Sequence, residues 1–267
     1  MTPRLLAAAT AAALLFGAGA ASAAKAPPKG LELYAIDCGK FPVPDADMFA
    51  DDGAYKGVQR TLIVPCYLVR HPKGDLIWDT GIPQSKQILL DALKQLDLTP
   101  ADIEFVSVSH SHFDHIGNAG LFAGSTWVVD PDEKATAFSE AARKNAGQFA
   151  AYSALEASKT RLIEGPTLDL FGDKTVVIHQ TPGHTPGHTI LELKLQDAGV
   201  VLLTGDLWHL AESREAKRVP RFNFNRAETL KSYEATEALA AKTKARVVRE
   251  HVMEDFEALP KFPAALK

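Results

Sequence analysis

His110-Ser111-His112-Phe113-Asp114-His115 places three imidazoles and a carboxylate within six residues, directly after the apolar run Ile103 to Val108. Such groups suit borderline divalent metals such as zinc. Each would need its own buried partner to be part of a core, so a structural reading of the cluster is unfavourable. Three further metal-ligand types stand in comparable settings. His184 lies in Thr181-Pro182-Gly183-His184-Thr185-Pro186-Gly187-His188, Asp206 follows Leu203-Thr204-Gly205, and His251 follows Arg246 to Glu250. Each comes after an apolar or β-branched run, where a strand gives way to a loop.

One ion cannot use all four groups of the first cluster with good geometry, because His110 and His112 leave an extended chain on one side and Asp114 and His115 follow a turn. Two ions can. The partition expected is His110, His112 and His184 on one, and Asp114, His115 and His251 on the other, with Asp206 bridging. Paired ions of this kind sit about 3.5–4 Å apart and share an activated water. Gly183 and Gly187 are expected to let their loop turn tightly, while Pro182 and Pro186 stiffen it. His188 is the rival of His184, which comes first off the strand. Asp79 is read either as the acid that orients a ligating imidazole or as a turn carboxylate. His71, in a Pro-Lys-Gly turn, is expected in solvent. His179 is expected to be a satisfied strand histidine.

The flanking chain sets the context. Arg4, the apolar run Leu5 to Phe16 and Ala21-Ser22-Ala23 read as an export signal over residues 1–23, which implies a periplasmic or secreted protein. Residues 24–30 form a Pro/Lys/Gly linker, and 31–267 fit one large α/β domain. At 46% hydrophobic residues the chain has enough material for a core. Its formal charge of −4 disfavours nucleic acid and anionic membranes as partners. Cys38 and Cys66 are read as two small buried hydrophobes rather than a disulfide, because Cys66 lies inside the apolar run Leu62 to Val69.

Strands are expected at Leu31 to Ile36, Thr61 to Val69, Asp75 to Asp79, Val176 to His179, Thr189 to Leu195, Val200 to Leu203 and Val247 to Arg249. Between the first two, Gly39 to Gln59 reads as a long loop. Its Asp45, Asp47, Asp51 and Asp52 are taken as solvated acids, and Met48, Phe49 and Tyr55 as a lid or as loop anchors. Helical spacing predicts a helix from Ser85 to Leu96. Asp130-Pro131-Asp132-Glu133 starts another, expected to run to Asn145, and Asn225-Arg226-Ala227-Glu228 a third, through Ala241. Antiparallel strand groups with interspersed helices predict sheets covered by helices in a layered sandwich.

The ordered set His110-x-His112-x-Asp114-His115, His184, Asp206 and His251 resembles the metallo-β-lactamase fold superfamily, from Leu31 onward. Asp75 to Gly81, Thr181 to His188 and Val201 to Asp206 match its other motifs. Within it the chain is most similar to the N-acyl homoserine lactonase branch, through Pro65-Cys66-Tyr67-Leu68, Asp79-Thr80-Gly81-Ile82-Pro83, the tandem Pro-Gly-His loop and the Asp bridge. The resemblance implies a four-layer αββα sandwich and two divalent metal ions, with zinc expected. It also implies a small-molecule substrate and opening of a lactone ring by a metal-bridging hydroxide, with Asp114 handling the proton. A homodimer is compatible with it. One departure concerns position 209: these lactonases carry tyrosine three residues after the bridging Asp, where it contacts the substrate, and here His209 stands there. An imidazole also donates a hydrogen bond, so His209 is read as a catalytic candidate beside Asp114, against a structural role.

The runner-up readings are a zinc β-lactamase, a phosphotriesterase or another esterase of the same fold. Usual zinc β-lactamases lack an Asp in the bridging slot. Glyoxalase-type thioesterases carry a helical C-terminal domain, and only a short segment follows His251. Nucleic-acid-processing members need a basic face. A non-catalytic metal-binding module needs one closed site rather than seven ligand types.

Overall fold

The computed structural model describes residues 26–267, so the export signal read at residues 1–23 lies outside the described residues. Among the described residues, eleven strands form two sheets. The first sheet holds β1 (Glu32–Val43), β2 (Arg60–His71), β3 (Gly74–Thr80), β4 (Phe105–Ser107), β5 (Thr126–Val129) and β6 (Thr160–Leu162), in that spatial order. The second runs β11-β10-β9-β8-β7, built from β7 (Thr167–Asp169), β8 (Val176–Gln180), β9 (Thr189–Leu195), β10 (Gly199–Leu203) and β11 (Arg246–Val248).

Alternation along each strand feeds two layers of core. Tyr67 and Val69 of β2 and Leu76 and Trp78 of β3 point inward, against Leu191, Leu193, Val201 and Leu203 of the second sheet. Leu68 and Ile77 point outward and pack on Leu89, Ala92 and Leu93 of α1 (Lys86–Gln95). On the far side, Ile190, Leu207 and Trp208 meet Tyr233 of α6 (Arg226–Thr243). Helices therefore cover both outer faces, giving the four-layer αββα sandwich. Sheets covered on both sides are near-continuously apolar, and β2 is buried from Leu62 to His71.

The strand pairing corrects the antiparallel expectation. β1 to β3 and β7 to β10 are antiparallel, but β3 to β6 and β10 with β11 are parallel. Parallel neighbours need crossovers of a dozen or more residues, which α1 and α6 supply. As a result the C-terminal ends of β4, β8, β10 and β11 open onto one edge of the sandwich.

Other local expectations also change. β1 continues to Val43, so the long loop begins only there and contains a short 3-10 turn, Ala46–Phe49. The helix begun at Asp130 stops early: α2 (Pro131–Ala137) breaks at Phe138, because Ser139 accepts the Ala142 N–H and starts α3 (Glu140–Lys144), followed by α4 (Ala146–Ala150). α5 (Ala211–Ala216) and α7 (Met253–Glu257) complete the helices. Cys38 and Cys66 do form a disulfide, with Cα atoms 5.7 Å apart. The β1–β2 ladder is interrupted between Asp37 and Lys40. This bulge puts Cys38 beside Cys66, a register effect that the apolar run around Cys66 conceals.

Three of the four loop acids are not solvated singly. Asp47 and Asp52 pair with Arg221 and Arg218 of the segment that joins α5 to α6, Asp51 pairs with Arg226 at the start of α6, and Asp45 is exposed as expected. His71 is buried rather than in solvent. It stacks on Phe171 at 3.9 Å, its Nε2 lies 3.1 Å from Asp173, and burial pushes its pKa down. His179 is satisfied as expected, 2.8 Å from Glu192.

Candidate metal centre

The four strand ends bring all seven predicted ligand residues together. His110 Nε2 lies 2.8 Å from His112 Nδ1, which lies 3.1 Å from His184 Nε2. Asp206 Oδ2 faces this trio, 3.5 Å from His110 Nε2 and 3.3 Å from His184 Nε2. The other oxygen, Oδ1, faces the second group, 3.3 Å from His115 Nε2 and 2.9 Å from His251 Nε2. Asp114 closes that group, with its oxygens 3.8 Å from His115 and 3.6 Å from His251. A tetrahedral ion with arms of 2.0–2.1 Å separates its ligand atoms by about 3.3–3.4 Å, so both groups have the spacing of donors around one cation.

The state of these atoms supports the fit. His115 Nε2 and Asp206 Oδ1 are buried with no hydrogen-bond partner, although they lie close together. Unpaired buried donors and acceptors are costly unless something else engages them. Burial drives the His110 pKa well down and that of His112 to about 3. Neutral imidazole is the form that ligates a cation. Burial also works against a charged His251, but Asp206 and Asp114 outweigh it and push the group up to about 9.

Hydrogen bonds outside the two groups fix the ring orientations. Asp79 Oδ2 sits 3.2 Å from His115 Nδ1, and its Oδ1 accepts the Ser109 N–H at 2.7 Å. Asp79 is therefore the acid that orients an imidazole. Its φ of +52° is a left-handed conformation, held in place by the Thr80 N–H donating to the His115 carbonyl. The His251 ring donates from Nδ1 to the Ile63 carbonyl at 2.8 Å. His188 stays outside the trio. Its Nε2 accepts the Asp206 N–H at 3.1 Å, and its Nδ1 donates to Thr181 Oγ1 at 2.9 Å, so the rival histidine positions the bridging acid.

The loop glycines serve close approach. A Cβ on Gly183 would stand 2.3 Å from the Thr229 N of α6, and one on Gly187 would stand 2.4 Å from the Glu133 N of α2. Gly183 also has φ +135°, whereas Gly187 has no positive φ. The loop turns at both glycines as expected, but only Gly183 uses a conformation that favours glycine.

His209 is buried beside the bridge, its Nε2 3.0 Å from Asp206 Oδ2, and it packs on Phe49 at 4.8 Å and Phe222 at 5.5 Å. Neither ring nitrogen has a hydrogen-bond partner of good geometry. A cavity of about 550 Å3 opens above it, walled by Phe41, Met48, Phe49, Leu62, Phe113 and Phe222, with His112, Asp114, Asp206 and His251 also lining it. Among the described residues, no lysine or arginine lines this cavity.

Sequence reasoning missed two buried acids. Glu250, one residue before His251, has both oxygens unpaired and lies close to Asp79 and His115; burial raises its pKa well above the usual range. Its position beside a ligand was the only available signal. Glu133 does lie in the helix start as read, and its side chain also binds Ser111 and Thr185 in the loops that carry the histidines.

Known proteins resemble this chain in sequence and fold. The family model of the metallo-beta-lactamase superfamily matches residues 60–250. The N-acyl homoserine lactonase AttM of Rhizobium radiobacter is 27% identical over 262 residues, covering 88% of this chain and 99% of its own. The N-acyl homoserine lactonase AiiA of Bacillus thuringiensis subsp. kurstaki is 27% identical over 255 residues, with 87% and 97% covered. A solved N-acyl homoserine lactone hydrolase, with the product N-hexanoyl-L-homoserine bound at its catalytic metal center, superposes with a TM-score of 0.74 at 25% identity, over 88% of this chain and 98% of that one. The two donor groups, the strand ends that present them and a family match that spans both sheets agree, and the chain belongs to the metallo-β-lactamase superfamily.

Proposed function

We propose that this protein is an exported hydrolase that holds two divalent cations, with zinc expected, and opens the lactone ring of N-acyl homoserine lactones. The observation that carries the reading is the division of the Asp206 carboxylate, one oxygen toward each donor group. In this reading His110, His112 and His184 hold one ion, Asp114, His115 and His251 hold the other, and Asp206 spans both. Cations bound there supply a water deprotonated near neutral pH and a Lewis acid for the carbonyl.

The chain's own groups do the rest. The aromatic wall of Phe41, Phe49, Phe113 and Phe222 takes up an uncharged acyl chain and displaces water from the reacting end. Asp114, at the cavity floor, receives a proton from the attacking water and returns it to the leaving alkoxide. His209 presents an otherwise unpaired imidazole N–H toward the oxygen on which charge develops. AttM and AiiA, which bear the lactonase name, support the choice of substrate. Substrates that carry a carboxylate, β-lactams among them, would find no lysine or arginine on the cavity wall. The Cys38–Cys66 disulfide supports residence in an oxidising compartment.

The test is a hydrolysis panel of acyl lactones, β-lactams, phosphotriesters and thioesters on zinc-loaded protein. Acyl lactones should be turned over fastest. Preference for a β-lactam or phosphotriester would replace the lactonase reading, and no hydrolysis of any class would remove the enzyme reading.

A further inference from the structure

The first histidine trio comes from two loops far apart in the chain, and one side chain bridges them. Glu133 is 2% exposed. Its Oε1 accepts the N–H of Ser111 at 2.7 Å and the hydroxyl of Ser111 at 2.5 Å. Its Oε2 accepts the Thr185 hydroxyl at 2.6 Å and the Gly187 N–H at 3.3 Å. Ser111 lies between His110 and His112, and Thr185 follows His184.

Helix capping does not account for this arrangement. In a capping box the third-position acid turns back to the N-cap N–H, whereas Glu133 turns inward. Asp130 caps α2 without it, accepting the N–H groups of Asp132 and Glu133. A filler role does not account for it either, since a buried carboxylate is costly and an apolar side chain would fill the space without that cost. The backbone reinforces the tie, because the first turn of α2 presses on Gly187 too closely to admit a Cβ. The second donor group has other anchors, Asp79 at His115 and the Ile63 carbonyl at His251, while the Ser109 hydroxyl lies between His115 and His110 and touches both groups.

We propose that Glu133 is a positioning residue that sets the distance between the His110–His112 loop and the His184 loop, and so the affinity of the first cation site alone. This rests on the two-cation reading above and not on the identity of the substrate. Outer hydrogen-bond partners of metal ligands typically change affinity 10–100-fold, and here the change should fall on one of two ions.

The experiment titrates metal-free protein with Zn2+ against a chromophoric chelator, and records the visible spectrum with Co2+. Wild type should take up two equivalents. Glu133→Ala should bind one equivalent as wild type does and the other roughly 10–100-fold more weakly. The Co2+ bands of the three-histidine site should be lost selectively. Glu133→Gln keeps one acceptor for Ser111 and opposes the Gly187 N–H with an amide, so its loss should be smaller and at the same site. Asp79→Asn should mirror the effect by weakening the other ion. If circular dichroism shows Glu133→Ala unfolded, Thr185→Val and Ser111→Ala, which each remove one hydroxyl donor, should give smaller losses at the same site. Equal weakening of both ions, or unchanged affinity in the folded variants, overturns the proposal. So does a wild type that binds no zinc. Two tightly bound ions without lactone hydrolysis would sink the substrate reading and leave this one intact.

Discussion

At the scale of single residues, the centre is a set of unequal dependencies. Asp206 faces both donor groups, so Asp206→Ala should weaken both ions, whereas His110→Ala and His184→Ala should each release one. Elemental analysis of the purified variants decides the matter, and two full equivalents retained by Asp206→Ala would refute the bridging role. His209 offers a separate case. It sits in the aromatic wall between Phe49 and Phe222, with a nitrogen 3.0 Å from the bridge. A donor to a developing oxyanion is worth roughly 2.7–4 kcal/mol, so His209→Ala should lower kcat about a hundredfold with metal content unchanged. His209→Tyr should retain turnover. Loss of metal from His209→Ala would identify a ligand support instead.

At the scale of elements, the cavity roof comes from two segments that are distant in sequence. The 44–59 loop contributes Phe49, the segment between α5 and α6 contributes Phe222, and the two rings meet edge to face at 5.7 Å. Arg218 with Asp52, Arg221 with Asp47 and Arg226 with Asp51 join the segments, and the Arg221 N–H donates to the Met48 carbonyl. Each pair is partly exposed and individually weak, and salt screens it. Arg221→Ala combined with Arg226→Ala should therefore raise KM for acyl lactones severalfold and leave kcat nearly unchanged. Wild type should drift the same way with added salt, as steady-state kinetics at two ionic strengths would reveal. This clasp was not legible beforehand, because Asp47, Asp51 and Asp52 find their partners only through tertiary packing. The ligands were legible because metal chemistry restricts residue type and spacing within short motifs. Helix starts were legible where a side chain caps locally, as Asn225 does for the Ala227 and Glu228 N–H groups. The break at Ser139 was hidden because Ser both tolerates a helix and caps the next one. β5, β6 and β7 were missed because three or four residues carry too little alternation to register.

At the scale of the whole molecule, the two sheets meet at the edge that carries the donor groups, so ion binding and folding are linked. Metal-free protein should melt at a lower temperature than the loaded form. A site held at a hundred times its dissociation constant adds about 2.7 kcal/mol. Calorimetry with and without zinc checks this, and identical midpoints would argue against tight binding. The disulfide adds a matter of timing. Both sulfur-bearing residues are fully buried, beneath the Gly81 turn and beside α1. No oxidant reaches them once those parts have docked, so the bond has to close on a chain that is still open. Protein matured in a reducing cell would then keep two thiols that later exposure to oxidant leaves untouched until it is unfolded. Thiol counts before and after denaturation would report which compartment a given molecule folded in.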